Sequence, residues 1–164
     1  MDKSRYFPLY DLPAHLIRRS QQFADAAFER ETAGLGITPG QLGVLMMVDL
    51  HEGLEQRELA AAVAFDAATV GGIIRRLDAN GFLERRNSKR SRRGLAIYLS
   101  KKGRRLIGKL RPRVRNIQGR LLSRLNRTER AELLRLLSKM LDVENRHYQP
   151  RRSAARPKAF PASR

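Results

Sequence analysis

Residues 56–99 read QRELAAAVAFDAATVGGIIRRLDANGFLERRNSKRSRRGLAIYL, and this stretch decides the fold. Gln56 to Val63 is an Ala-rich run that predicts a short helix. A tight turn through Ala64 and Phe65 leads to Asp66, whose carboxylate can accept from the free amides of a following helix. That helix is expected from Ala67 to Asn80, because Val70, Ile73, Ile74 and Leu77 make one apolar stripe at helical spacing. Asn80-Gly81 ends it, with Gly81 suited to the left-handed backbone of a helix terminus. Phe82–Arg86 and Leu95–Leu99 then predict two short strands, the second alternating at Leu95, Ile97 and Leu99. Between them NSKRSRRG is polar and carries Lys89, Arg90, Arg92 and Arg93, a charged hairpin tip.

A short helix, a turn, a second helix and a basic hairpin follow one another in the order of a winged helix-turn-helix. A helix of about 14 residues fits the major groove of DNA, and its first turns point side chains at base edges. An Arg-loaded hairpin tip can reach the adjacent minor groove or the phosphates. The exposed face of the second helix is expected to offer Ala67, Ala68, Thr69, Gly71, Gly72, Arg75 and Arg76. Small residues near its start let the backbone approach the groove, Thr69 can bond a base or touch a thymine methyl, and Arg75 or Arg76 can hold a guanine edge or a phosphate. Taken alone, the helix reads equally well as an amphipathic core helix with solvated Arg residues. The charged hairpin after it favours DNA.

On the N-terminal side a first helix runs from Leu12 to about Glu31 and is broken by GLGI at 34–37. Thr38-Pro39 restarts a helix, Thr as N-cap and Pro at the first position. This second helix is apolar nearly all round to about Glu52, so it is expected to be central and buried, with Gly53 stopping it. On the C-terminal side Ser100 caps a long helix to about Leu125, with Leu106, Leu110, Val114, Ile117, Leu121 and Leu125 in a stripe and Pro112 expected to bend it. Asn126 with Glu129 resembles a capping box for a last helix to about Arg146. The fold class expected is mainly α with a small β-hairpin wing. The organisation expected is an N-terminal arm at 1–11, a winged helix-turn-helix at 38–99, helical regions at 12–37 and 100–146, and a disordered basic tail at 147–164.

Composition narrows the function. The 164 residues hold 34 Lys+Arg against 16 Asp+Glu, a net charge of +18. From Arg85 to Thr128 there is no acidic residue, and 17 of the 34 basic residues lie there. Charge of one sign over so long a segment is the footprint of a polyanion partner, above all nucleic acid. Aromatic residues make up 6% of the chain, and within the acid-free segment only Tyr98 is aromatic, which argues against RNA reading by base stacking. There is no Cys, which excludes disulfides, thiolate metal sites and thiol-based sensing. No metal-ligand spacing, nucleophile–base pair or phosphate loop points to an enzyme. No apolar run reaches the ~18 residues of a membrane span and no signal peptide is read, so a cytoplasmic protein without membrane partners is expected.

LGITPGQLGVLMMV at 35–48, ELAAAVAFDAATVGGIIRRLDANGFLERR at 58–86 and RSRRGLAIYLSKKGRRLI at 90–107 resemble the MarR family of bacterial transcriptional regulators, over roughly Leu12 to Met140. The resemblance implies a homodimer whose first, fifth and sixth helices form the dimerisation region, each subunit presenting one winged helix to a palindromic operator in double-stranded DNA. One departure stands out: the family wing usually reads Asp-Arg-Arg where this chain has Ser91-Arg92-Arg93, which removes a negative charge from the tip. Many members respond to small aromatic acids held near the first and second helices. His15, Arg18 and Arg19 in AHLIRRSQQF resemble a subgroup associated with aromatic catabolism. A guanidinium suits a carboxylate, and a His can bond a ring substituent. His51, with Asp49 nearby, is a further candidate. The implied effector is a small aromatic carboxylate, benzoate- or nicotinate-like, with no cofactor. A surface role for these four side chains stays open, as does a basic architectural protein without a small-molecule switch.

Overall fold

The computed structural model describes residues 9–63, 65–88 and 94–142. Ala64, the wing tip Lys89, Arg90, Ser91, Arg92 and Arg93, the first eight residues of the expected arm and the expected tail at 147–164 lie outside the described residues. A 3-10 turn at Leu9–Asp11 leads into α1 (Pro13–Thr32). There follow α2 (Pro39–Leu50), β1 (Leu54–Glu55), α3 (Gln56–Val63), α4 (Ala67–Ala79), β2 (Leu83–Asn87), β3 (Leu95–Leu99), α5 (Lys101–Leu121) and α6 (Arg127–Met140).

Local chemistry sets most of these boundaries. Thr38 Oγ1 accepts from the Gln41 N–H at 3.2 Å, and Gln41 Oε1 accepts from the Thr38 N–H at 3.0 Å, a reciprocal cap with Pro39 at the first position of α2. Asn126 and Glu129 make the same exchange at the start of α6. The expected core helix is central: Val44, Leu45 and Val48 of α2 are wholly buried. Leu59 of α3, Val70, Ile74 and Leu77 of α4, Leu99 of β3 and Leu110 of α5 close around them. Full burial of one such side chain is worth about 1.5–3 kcal/mol, so this cluster holds the elements in register.

Three differences from the sequence reading have physical causes. A third strand exists: β1 joins the hairpin in the antiparallel order β1-β3-β2, with Leu54 opposite Ile97 and Glu55 opposite Ala96. Two residues are too few to show a period of two. Gly53 turns the chain into this strand at φ +82, donates its N–H to the Ile97 carbonyl at 2.9 Å, and leaves room for the Tyr98 hydroxyl where a Cβ would lie. Second, β3 does not alternate cleanly: Leu95 is 45% exposed while Ala96 is buried. Ala96 sits between Glu55 and Arg86 on the neighbouring strands, whose longer side chains can cover a methyl. Third, α5 ends at Leu121, short of Leu125, where the Leu122, Ser123 and Leu125 amides turn back onto Gln118, Arg120 and Leu122; Pro112 lies inside the helix as expected.

The helices outside the winged unit are cross-tied. Glu31 near the end of α1 is the hub: Arg113 donates to its backbone carbonyl, Asn116 to its carboxylate at 3.1 Å and Arg120 at 3.2 Å. The end of α2 is tied to α5 by Asp49–Arg111 at 2.5 Å and by Glu52–Arg104. In α6, by contrast, no residue is buried, and Leu134, Leu137 and Met140 stand exposed, with Leu141 at its C-cap. Leu16, Ile17 and Phe23 of α1 are exposed as well.

Candidate nucleic-acid interface

The junction of α3 and α4 is held by side chains of both helices and by Asp66 between them. Asp66 caps α4, accepting the Thr69 N–H at 2.8 Å and the Thr69 hydroxyl at 2.5 Å. The hydroxyl bond first, and then the backbone amide, hold the Asp66 carboxyl below its ordinary value. From the other side, Gln56 at the start of α3 donates its Nε2 to the Ala67 carbonyl at 3.2 Å. The first helix of the pair therefore braces the first turn of the second.

Of the residues expected on the open face of α4, Ala67, Ala68, Thr69, Arg75 and Arg76 are exposed. Gly71 is not: it is buried, and a Cβ there would lie 2.7 Å from Gln56 Nε2. Gly71 thus serves close packing of α3 on α4, and Gly72 is half-buried beside it. The two glycines have another effect. The Arg75 guanidinium lies 3.5 Å from the Cβ position of Gly71 and 3.9 Å from that of Gly72, folded back toward the start of α4. Its planar donors thereby lie beside Gln56 and the helix turns that would meet base edges. Gln56 was missed in the sequence because its importance comes from a contact with Ala67 across the turn. Thr69 keeps its methyl and acceptor capacity, while its hydroxyl proton is given to Asp66.

The wing is anchored at its base. Ser88 N–H donates to the Gly94 carbonyl at 2.8 Å. Arg86 lies 4.6 Å above the Tyr98 ring and pairs with Glu84 at 3.0 Å. Arg85 crosses from β2 to Asp78 of α4 at 2.8 Å. The acid-free segment is thus less uniform in space than in sequence. Carboxylates from outside it reach Arg85, Arg86, Arg104, Arg111 and Arg120. Arg85 and Arg86 accordingly brace the wing.

The four ligand-holding candidates fall in two places. His15 and Arg18 meet one helical turn apart on α1, Arg18 donating to His15 Nδ1 at 3.4 Å, with the Tyr10 ring edge-on to His15 at 5.4 Å. Arg19 is exposed on the same helix. His51 ends α2, half-buried, its N–H given to the Met47 carbonyl at 2.9 Å, and nearby Asp49 is held by Arg111. A groove of about 630 Å³ runs between α1 and α5, lined by Phe23, Ala26, Arg30, Arg115 and Gly119 among others, but by none of the four candidates. Among the described residues no cluster of three His, Asp or Glu could hold a metal ion, and no helix is long and apolar enough to cross a membrane.

Comparison with known proteins agrees with this geometry. The sequence model described as MarR family matches residues 35–94, the span from within the α1–α2 loop to the wing. The HTH-type transcriptional repressor NicR of Pseudomonas putida is 32% identical over 130 residues, covering 79% of this chain and 82% of NicR. The chain belongs to the MarR family. Two solved structures of similar proteins superpose over most of this MarR-family chain. BpsR of Bordetella bronchiseptica, solved to explain regulation of its DNA binding by 6-hydroxynicotinic acid, has a TM-score of 0.72 and 31% identity, covering 79% of this chain and 98% of BpsR. The PcaV transcriptional regulator of Streptomyces coelicolor, solved with its natural ligand, has a TM-score of 0.78 and 25% identity, covering 85% of this chain and 98% of PcaV.

Proposed function

We propose that this MarR-family regulator is a dimeric, sequence-specific DNA-binding repressor, released from a palindromic operator by a small aromatic carboxylate. The observation that carries the reading is the braced, exposed start of α4, where Gln56, Thr69 and the folded-back Arg75 lie together. Fixed donors on a helix start are what base-edge reading in the major groove requires. Phosphate attraction comes from the net charge of +18 and from the wing tip, Lys89, Arg90, Arg92 and Arg93. BpsR supports the pairing of DNA binding with an aromatic acid.

Dimerisation follows from the apolar residues left uncovered on α1 and α6, since exposed patches of that kind mark interfaces. The effector is assigned to Arg18, with His15 one turn away to bond a ring substituent; Arg19 and His51 are the reserves. An exposed single chain can become enclosed there once a second copy packs against α1. The alternative, a basic architectural protein, requires no discrimination between sequences and leaves the Gln56–Arg75 arrangement without a use.

The test is fluorescence anisotropy on a duplex selected by the protein from a random pool, against a scrambled duplex, with and without benzoate, hydroxybenzoates or nicotinate derivatives. Specific regulators exceed non-specific binding by ~10³-fold or more. A matching thermal-shift screen detects the effector, because a ligand at ~100 times its Kd adds ~2.7 kcal/mol to native stability. Equal affinity for both duplexes favours the architectural reading.

A further inference from the structure

After the last turn of α4, three successive carbonyls meet the first turn of α5. Asn80 O accepts from Lys102 Nζ at 2.9 Å, Gly81 O from Ser100 Oγ at 2.6 Å, and Phe82 O from the Ser100 N–H at 3.0 Å. Ser100 Oγ accepts in turn from the Gly103 N–H at 3.0 Å, so one buried hydroxyl caps α5 and holds the chain leaving α4. Lys102 also lies 4.8 Å above the Phe82 ring. The approach is so close that a Cβ on Gly103 would come within 2.1 Å of Phe82 O. Helix ends normally leave their last carbonyls to water or to a local cap; here another helix takes the carbonyls that follow.

We propose that Ser100 is a positioning residue. With Lys102 and Gly103 it makes the end of the recognition helix and the start of α5 one rigid joint, so that a tilt of α5 is delivered to the base-reading end of α4. This rests on the DNA-binding reading above. The leverage is large. Thirteen residues make α4 about 20 Å long, so a rotation of about 10° at the joint moves its far end by about 3 Å, beyond the tolerance of a hydrogen bond. At its other contacts α5 is tied to Glu31 of α1, to Asp49 of α2 and to Glu52 just beyond the end of α2. Movement in the helices that carry the effector candidates therefore has a stiff route to the recognition helix.

The experiment compares Ser100→Ala, Ser100→Thr and Lys102→Met on the selected and the scrambled duplex, with thermal melting in parallel. Ser100→Ala is expected to bind the selected duplex about tenfold more weakly, the loss of roughly one base contact, with scrambled-duplex affinity unchanged because no charge is removed. Ser100→Thr, which keeps the hydroxyl, is expected to restore the preference. Lys102→Met removes a charge and so weakens binding to both duplexes, but it is expected to lower the selected-to-scrambled ratio as well, by a smaller factor than Ser100→Ala; that ratio carries the test if Ser100→Ala does not melt cooperatively. A lowered melting temperature with wild-type affinity for both duplexes, or an equal loss on both, overturns the joint. A wild type without preference for the selected duplex overturns instead the DNA-reading assignment on which the joint rests.

Discussion

Adding one methyl at Gly71 separates the interface from the fold. The new Cβ of Gly71→Ala would lie 2.7 Å from Gln56 Nε2, so the amide must move and its bond to the Ala67 carbonyl is lost. The moving atom is the end of a flexible, exposed side chain, so little strain is stored. Stability changes by two opposed amounts: Ala gains ~0.8–1 kcal/mol over Gly inside a helix, while the lost bond is worth about 0.5–1.5 kcal/mol. The sum is near zero, which keeps the melting temperature within about 3 °C of wild type for a chain of this length. DNA reading has no such offset. The displaced Gln56 amide swings out at the start of α4, and Arg75 must share the slot left by the glycines. Losing one base contact costs ~1–3 kcal/mol, roughly 5- to 150-fold in operator affinity at ~1.4 kcal/mol per decade. Anisotropy on selected and scrambled duplexes, beside a melting curve, reads all three quantities. Wild-type operator affinity in a normally folded Gly71→Ala would refute the placement of the α3–α4 turn against base edges.

Three other outcomes are expected. Leu134 on α6 and Leu141 at its C-cap are 57% and 59% exposed. If a second copy covers them, Leu134→Glu with Leu141→Glu loses about 2 kcal/mol of burial, weakening the dimer at least ~30-fold in sedimentation; an unchanged dimer places the interface elsewhere. Arg18→Ala is expected to leave operator binding intact while weakening the aromatic carboxylate ten- to hundredfold, from ~1.5–3 kcal/mol for a charge-assisted bond; simultaneous loss of DNA and ligand would make Arg18 structural. The third concerns acid. Asp66 titrates in the folded chain below its ordinary value of 3.8, so its contribution is complete above that value and is lost as pH falls through the folded one. The stability gap between wild type and Asp66→Ala is thus expected to close as melting is followed from neutral pH into this range, and a gap independent of pH would contradict it.

What could be read in the sequence was local. Asp66, Ser100 and the Asn126–Glu129 pair cap their helices through partners three residues away, within the reach of a motif. The apolar stripe of α4 likewise needs only its own spacing. What escaped depends on chain segments meeting in space. Glu31 collects Arg113, Asn116 and Arg120 from a helix far along the chain, and Asp78 takes Arg85, so cations that looked free for DNA are structural. Gly71 shows the difference at one residue. Its smallness was legible, but it was read as room for DNA, whereas its neighbour is Gln56. Ser100 was legible as a cap and not as the holder of Gly81, because that bond joins two helices across the wing.

The central claim is that two copies of this chain read one symmetric DNA site through α4. Footprinting of the selected duplex, with the mass of the complex measured in the same sample, tests it directly. The expected result is one protected palindrome, its half-sites centred about 10 bp or one helical turn apart, bound by two chains. Protection spread without sequence preference, or a single chain holding one half-site, would contradict it.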